Sequence, residues 1–166
     1  MSQALKILSG ILGALVISVP IYAQQEGLAT QRILSLGMAK TIAEGALAEC
    51  RSKGFHTAVA VVDRAGQLLV FLRDEQATPE TIEMARRKAY TARIFRITTL
   101  EFRERTKGDK EGAGQRNVTD MIALGGGVPI KAGDETIGGV GSSGSGQEID
   151  DGCAKAGIAK VANLLK

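Results

Sequence analysis

His56 is the only histidine of the chain, Cys50 and Cys153 are the only cysteines, and Asp150 stands among acids near the C-terminus. One histidine excludes a multi-histidine metal centre within a subunit. A Ser-His-Asp set with Ser142 or Ser143 lacks the nucleophile-elbow sequence that would support it. One histidine does suffice for haem iron, with Tyr90 as the second candidate ligand. Each has a plainer reading, His56 as a polar residue at a sheet rim and Tyr90 as a core aromatic. Lys88 and Arg96 are eight apart, so on a helix they share a face and can meet an anionic ligand; Thr91 lies beside them. The rest of the basic run, Arg86, Arg87 and Arg93, reads as a solvated face.

Asp150 with backbone N–H groups near Gly125–Gly127 would suit acid/base turnover of a small carboxylate. Asp150 equally suits a helix N-terminus as an acid without chemistry. Twelve of the 21 glycines lie between residues 108 and 146, more than turns require. Gly125–Gly127 and Gly138–Ser143 either admit a flat ligand close to the backbone or pack chain tightly against chain. The run Gly139-Val140-Gly141-Ser142-Ser143-Gly144 matches the dinucleotide fingerprint by pattern. Too little chain follows for a second parallel strand, and Glu148, Asp150 and Asp151 would repel a pyrophosphate.

These residues need elements to position them. Thr30 can cap a helix whose apolar face is Leu36, Ala39, Ala43, Leu47 and Cys50, closed by Lys53-Gly54. Strands over residues 55–62 and 67–72 flank the turn Asp63-Arg64-Ala65-Gly66, and their apolar character predicts cover on both faces. Thr78-Pro79-Glu80 starts a second helix facing the core through Ile82, Ala85, Ala89, Ala92 and Phe95. Thr98 and Glu101 form a capping box for a short third helix, followed by a polar excursion over 107–117. Strands over 128–130 and 136–141 flank a turn at 132–135, and a last helix runs over about 148–165, carrying Ile149, Cys153 and Leu164. Short turns imply antiparallel pairing, so the fold class is α+β, an antiparallel sheet of about five strands flanked by helices.

Lys6, the apolar run Ile7–Val19 and Ala23 read as a signal peptide over 1–23, with a single domain over 24–166. The apolar run is shorter than the roughly 20 residues a spanning helix needs. The expected location is therefore periplasmic or extracellular, with no membrane segment after cleavage. In an oxidising compartment Cys50 and Cys153 can pair, a bridge worth about 4–5 kcal/mol. The favoured reading is two small buried side chains among alanines. A net charge of +3 without a clustered basic stripe and no Trp argue against a nucleic-acid partner.

Two ordered groups of segments carry a family resemblance. The first is Val61-Val62-Asp63-Arg64-Ala65-Gly66-Gln67-Leu68 with Ala85-Arg86-Arg87-Lys88-Ala89-Tyr90-Thr91-Ala92. The second is Gly125-Gly126-Gly127-Val128-Pro129-Ile130, Ile137–Gly144, and Asp150 with Cys153-Ala154 and Ala156-Gly157. Together they resemble the GlcG/HbpS-like family, which is also similar to the C-terminal domain of PduO. The resemblance implies a profilin-like or GlcG-like fold, a homo-oligomer and a small-molecule ligand, with haem as cofactor. It places the ligand pocket at Gly125, Gly126, Gly127, Val128, Pro129, Gly141, Ser142, Ser143 and Asp150. Many relatives carry His where this chain has Gln67, so that ligand has no counterpart here, and His56 lies on the preceding strand. The family's usual Gly-Val-Ser-Gly is Gly141-Ser142-Ser143-Gly144 here.

Overall fold

Alternating side chains on one central strand define the two cores. The computed structural model describes Gly27 and residues 29–166, of which Gln31–Lys166 form one unit; the segment read as a signal peptide lies outside the described residues. Strand β1 (Ala58–Val62) points Val59 and Val61 to one face and Ala58, Ala60 and Val62 to the other, all of them buried. It pairs antiparallel with β2 (Leu68–Arg73) and with β4 (Glu135–Ser143), which pairs antiparallel with β3 (Gly127–Ala132). The sheet order is β2-β1-β4-β3 in four strands rather than about five. β1 is covered on both faces, but β2 is an edge and stays half-exposed, against the expectation for that pair.

Helices α1 (Leu36–Ser52) and α4 (Gln147–Ala159) cover the valine face, and α2 (Thr81–Phe95) covers the alanine face. α1 starts later than expected: the Ser35 hydroxyl, not Thr30, accepts from the Met38 N–H, and Leu36 is solvent-exposed. Its end is as read, with Gly54 at φ 79° and Phe55 N–H donating to the Cys50 carbonyl in a Schellman closure. α2 begins at Thr81 without a side-chain cap, because the Thr78 hydroxyl donates to Glu80 instead. Its buried face is Thr81, Ala85, Lys88, Ala89, Thr91 and Ala92, while Ile82 points outward. The short α3 (Thr99–Arg105) has the full Thr98–Glu101 capping box. Residues 107–117 hold a 3-10 turn, Ala113–Asn117, tied back by Arg116 to Thr106 and to the Arg103 carbonyl.

α4 stops short of the expected end near residue 165. Val161 turns under the core, a 3-10 turn follows at Ala162–Leu164, and Leu164 is exposed. Cys50 and Cys153 are bonded, with Cα atoms 5.5 Å apart, so the expectation of two free buried thiols is corrected. The reason is tertiary: α1 and α4 cross where Gly45 and Gly157 face each other. A Cβ on Gly157 would lie 2.3 Å from the Ile42 carbonyl oxygen. That close crossing brings the two sulfurs into bonding range.

Candidate functional site

Glycines on β3 and β4 set the first feature. A Cβ at Gly141 would stand 2.2 Å from the Ala85 carbonyl oxygen, at Gly139 2.3 Å from that of Ala89, and at Gly127 2.3 Å from that of Lys88. Their missing side chains therefore seat α2 directly on the sheet. Lys88 is carried inward by this approach and is 3% exposed. Its ammonium donates to Asp150 Oδ2 at 2.8 Å, the Ser142 carbonyl at 2.9 Å and Ser143 Oγ at 3.2 Å. Asp150, 1% exposed in the first turn of α4, accepts the Ser145 hydroxyl (2.7 Å) and N–H (3.2 Å) on Oδ1. Burial pulls the Lys88 pKa below its ordinary value, opposed by the charge and hydrogen bond of Asp150. Both partners are thus saturated, as a buried ion pair must be to hold. The pair clamps α2, β4 and the start of α4. Beside it opens a cavity of about 280 Å³ lined by Thr78, Glu80, Thr81, Met84, Ser145 and Gln147 among others.

The second feature is at the same end of the sheet, where β1 begins between the ends of β2 and β4. His56 Nδ1 lies 2.9 Å from Asp74 Oδ1 just past the end of β2, and the His56 side chain is 43% exposed. Asp74 is buried and also takes the Arg51 guanidinium at 2.5 Å and the Gln76 N–H at 3.0 Å. The Gln76 N–H first, then Arg51, then His56 hold its carboxyl down at about 2, against 3.8 ordinarily. The ionised Asp74 can accept the Nδ1–H of His56 and orient the ring, with Nε2 on its far side. Imidazole oriented by a carboxylate in this way is the arrangement of a metal-ligating histidine.

The remaining sequence candidates do not form one pocket. Arg96 is the left-handed cap residue of α2 (φ 60°), exposed and eight residues from the buried Lys88, so the two do not share a ligand-facing surface. Tyr90 lies over the β1–β2 turn, its ring 2.7 Å from where a Cβ on Gly66 would be. Thr91 is buried and accepts the Ile122 N–H at 3.0 Å. Gly126, at φ 118°, sits against Asp150 and the Ser142 carbonyl. The Gly125 N–H donates to Gln147 Oε1 (2.7 Å) and that of Gly127 to Thr99 Oγ1 (2.8 Å), so neither is available to an oxyanion. Val128 is in the core, Pro129 is half-buried on the edge strand β3, and Ser142 Oγ lies 3.7 Å from Cys50 Sγ. Sequence reasoning missed Asp74, Arg51 and Ser145; an Asp after a strand and an Arg in a last helical turn are too common to signal a partnership.

A single three-layer α+β unit carrying these two polar centres is the class the coordinates define, and comparison with known proteins places it further. The family model for the haem degrading protein HbpS-like family matches residues 34–159. The chain belongs to this HbpS-like family. It is similar to the protein GlcG of Escherichia coli K12, 30% identical over 114 residues, which cover 69% of this chain and 84% of GlcG. Among solved structures it is similar to a double mutant of Streptomyces reticuli HbpS. That match has 31% identity and a TM-score of 0.77 and covers 86% of this chain and 96% of the other. A PduOC:haem complex matches with 26% identity and a TM-score of 0.71, covering 76% and 94% respectively.

Proposed function

We propose that the protein is an exported haem-binding protein in which His56 ligates the iron. The observation that carries this reading is the His56–Asp74 pair: the carboxylate fixes the ring and leaves Nε2 free on a half-exposed side chain. Family membership and the likeness to a haem complex support the choice of haem as the ligand. The residues fit an axial ligand at this point; the glycine segments fit haem less well, because the α2 backbone already fills the space they leave. Haem bound at His56 would supply the iron chemistry, while the chain holds the ring orientation through Asp74 and Arg51. The Cys50–Cys153 bridge and the leader-like start of the sequence support export to an oxidising compartment. Exposed Leu68, Ile82, Ile94 and Val118 offer apolar surface for a homo-oligomer.

The test is a haemin titration of the purified protein, followed in the Soret band, with His56→Ala in parallel. Saturable binding that His56→Ala weakens roughly tenfold or more is expected. Absence of saturable binding to the folded protein overturns the proposal, and binding indifferent to His56→Ala removes its ligand.

A further inference from the structure

A cavity lies away from both centres, between the segment leading into α1, the β1–β2 turn and the second half of α2. It holds about 460 Å³ and is lined by Ile33, Leu34, Asp63, Arg64, Leu69 and Arg93, with Gln31 and Ala65 completing it. That volume is in the ordinary range for small-molecule sites. Its apolar wall is built: Leu34 is 4% exposed and belongs to the core cluster that Leu69 packs against.

Its polar wall has one unspent donor group. Arg93 Nε is buried and has no hydrogen-bond partner among the described residues. Arg93 as a whole is half-buried, and a guanidinium without an ion-pair partner among the described residues fits a carboxylate. The other charges there are accounted for. Arg64 donates to Glu135 at 2.7 Å, Arg32 donates to the same carboxylate at 3.1 Å, and Asp63 Oδ1 accepts the Ala65 and Gln67 N–H groups. Burial first, then the neighbouring Arg96 and Arg64, pull the Arg93 pKa below the usual guanidinium value, while Asp63 opposes them. Arg93 therefore stands near two cations, Arg64 and Arg96, with Asp63 as the acid beside them.

The geometry points to this cavity as a binding site for a small aliphatic carboxylate, with Arg93 holding the carboxylate and Leu34, Leu69 and Ile33 receiving the chain. One anionic head matches one unpaired guanidinium, and Asp63 in the lining repels a second anionic group. The site is separate from His56, so its occupancy does not depend on haem.

Calorimetric titration of hexanoate into the purified protein tests it, with acetate as the comparison. Hexanoate is expected to bind saturably and acetate to bind more weakly by roughly tenfold or more, since it forfeits the buried methylenes. Arg93→Gln should weaken hexanoate roughly tenfold or more. Ile33 is 70% exposed, so Ile33→Glu cannot disturb the core; it should weaken hexanoate by repulsion as well as by the lost apolar contact, and so more than Ile33→Gln, which loses the contact alone. No saturable hexanoate binding to the folded protein overturns the inference. So does binding that neither Arg93→Gln nor Ile33→Glu changes; were Arg93→Gln to misfold, the Ile33 pair alone decides.

Discussion

Asp74 and Lys88 show how differently two buried charges can be used. Asp74 is held ionised by the Gln76 N–H, Arg51 and His56, and its carboxyl sits at about 2 against 3.8 when free. A depressed carboxyl pKa contributes stability that is complete above the unfolded value and lost as pH falls through the folded one. Thermal melts from pH 5 to pH 2 should therefore show the wild type losing stability between about pH 4 and pH 2 more steeply than Asp74→Asn. Equal slopes would mean that Asp74 is not held as described. Lys88 and Asp150 instead satisfy each other at 2.8 Å, both buried. Removing one partner strands the other: Lys88→Met or Asp150→Leu should cost about 3–5 kcal/mol in urea denaturation. The double variant Lys88→Met/Asp150→Leu should cost clearly less than the sum of the two, and strict additivity would contradict the clamp.

At the scale of elements, glycine placement decides how α2 meets the sheet. Gly141 has the Ala85 carbonyl 2.2 Å from its absent Cβ, whereas Gly37 in the first turn of α1 has nothing within 4 Å. Gly141→Ala is expected to destabilise by about 1–3 kcal/mol through overpacking. Gly37→Ala should stabilise by about 0.5–1 kcal/mol through helix propensity alone. Denaturation midpoints of the two variants moving in the same direction would refute this assignment of roles. Features set by neighbouring residues were legible in the sequence: the Thr98–Glu101 box, the Lys53-Gly54 closure and the turn at Asp63–Gly66 all stand where local chemistry puts them. The face of α2 was legible in part, since Ala85, Ala89 and Ala92 are buried as expected while Ile82 is exposed. Lys88 was expected to meet an anionic ligand together with Arg96, and what draws it inward instead is Ser142, Ser143 and Asp150, more than fifty residues away.

Over the whole molecule, the α+β class and the antiparallel sheet could be read from strand spacing and short turns, while the strand count and the disulfide could not. The bridge depends on how closely α1 and α4 cross, and helical periodicity carries no information about that. It joins residues 103 apart, one in α1 and one in α4. The Cys50→Ala/Cys153→Ala variant should lose about 2–5 kcal/mol by chemical denaturation, and a loss well below that range would show that the helix crossing stands without it. The candidate site divides in the same way. His56 stood out as the single histidine, but its worth as a ligand comes from Asp74, which tertiary folding alone supplies.

Resonance Raman spectroscopy of the ferrous haem complex addresses that claim most directly. An iron–imidazole stretch is expected in the wild type, absent in His56→Ala and lower in frequency in Asp74→Asn, since losing the carboxylate makes the imidazole a weaker base. A stretch unchanged in His56→Ala would contradict the assignment of His56 as the iron ligand.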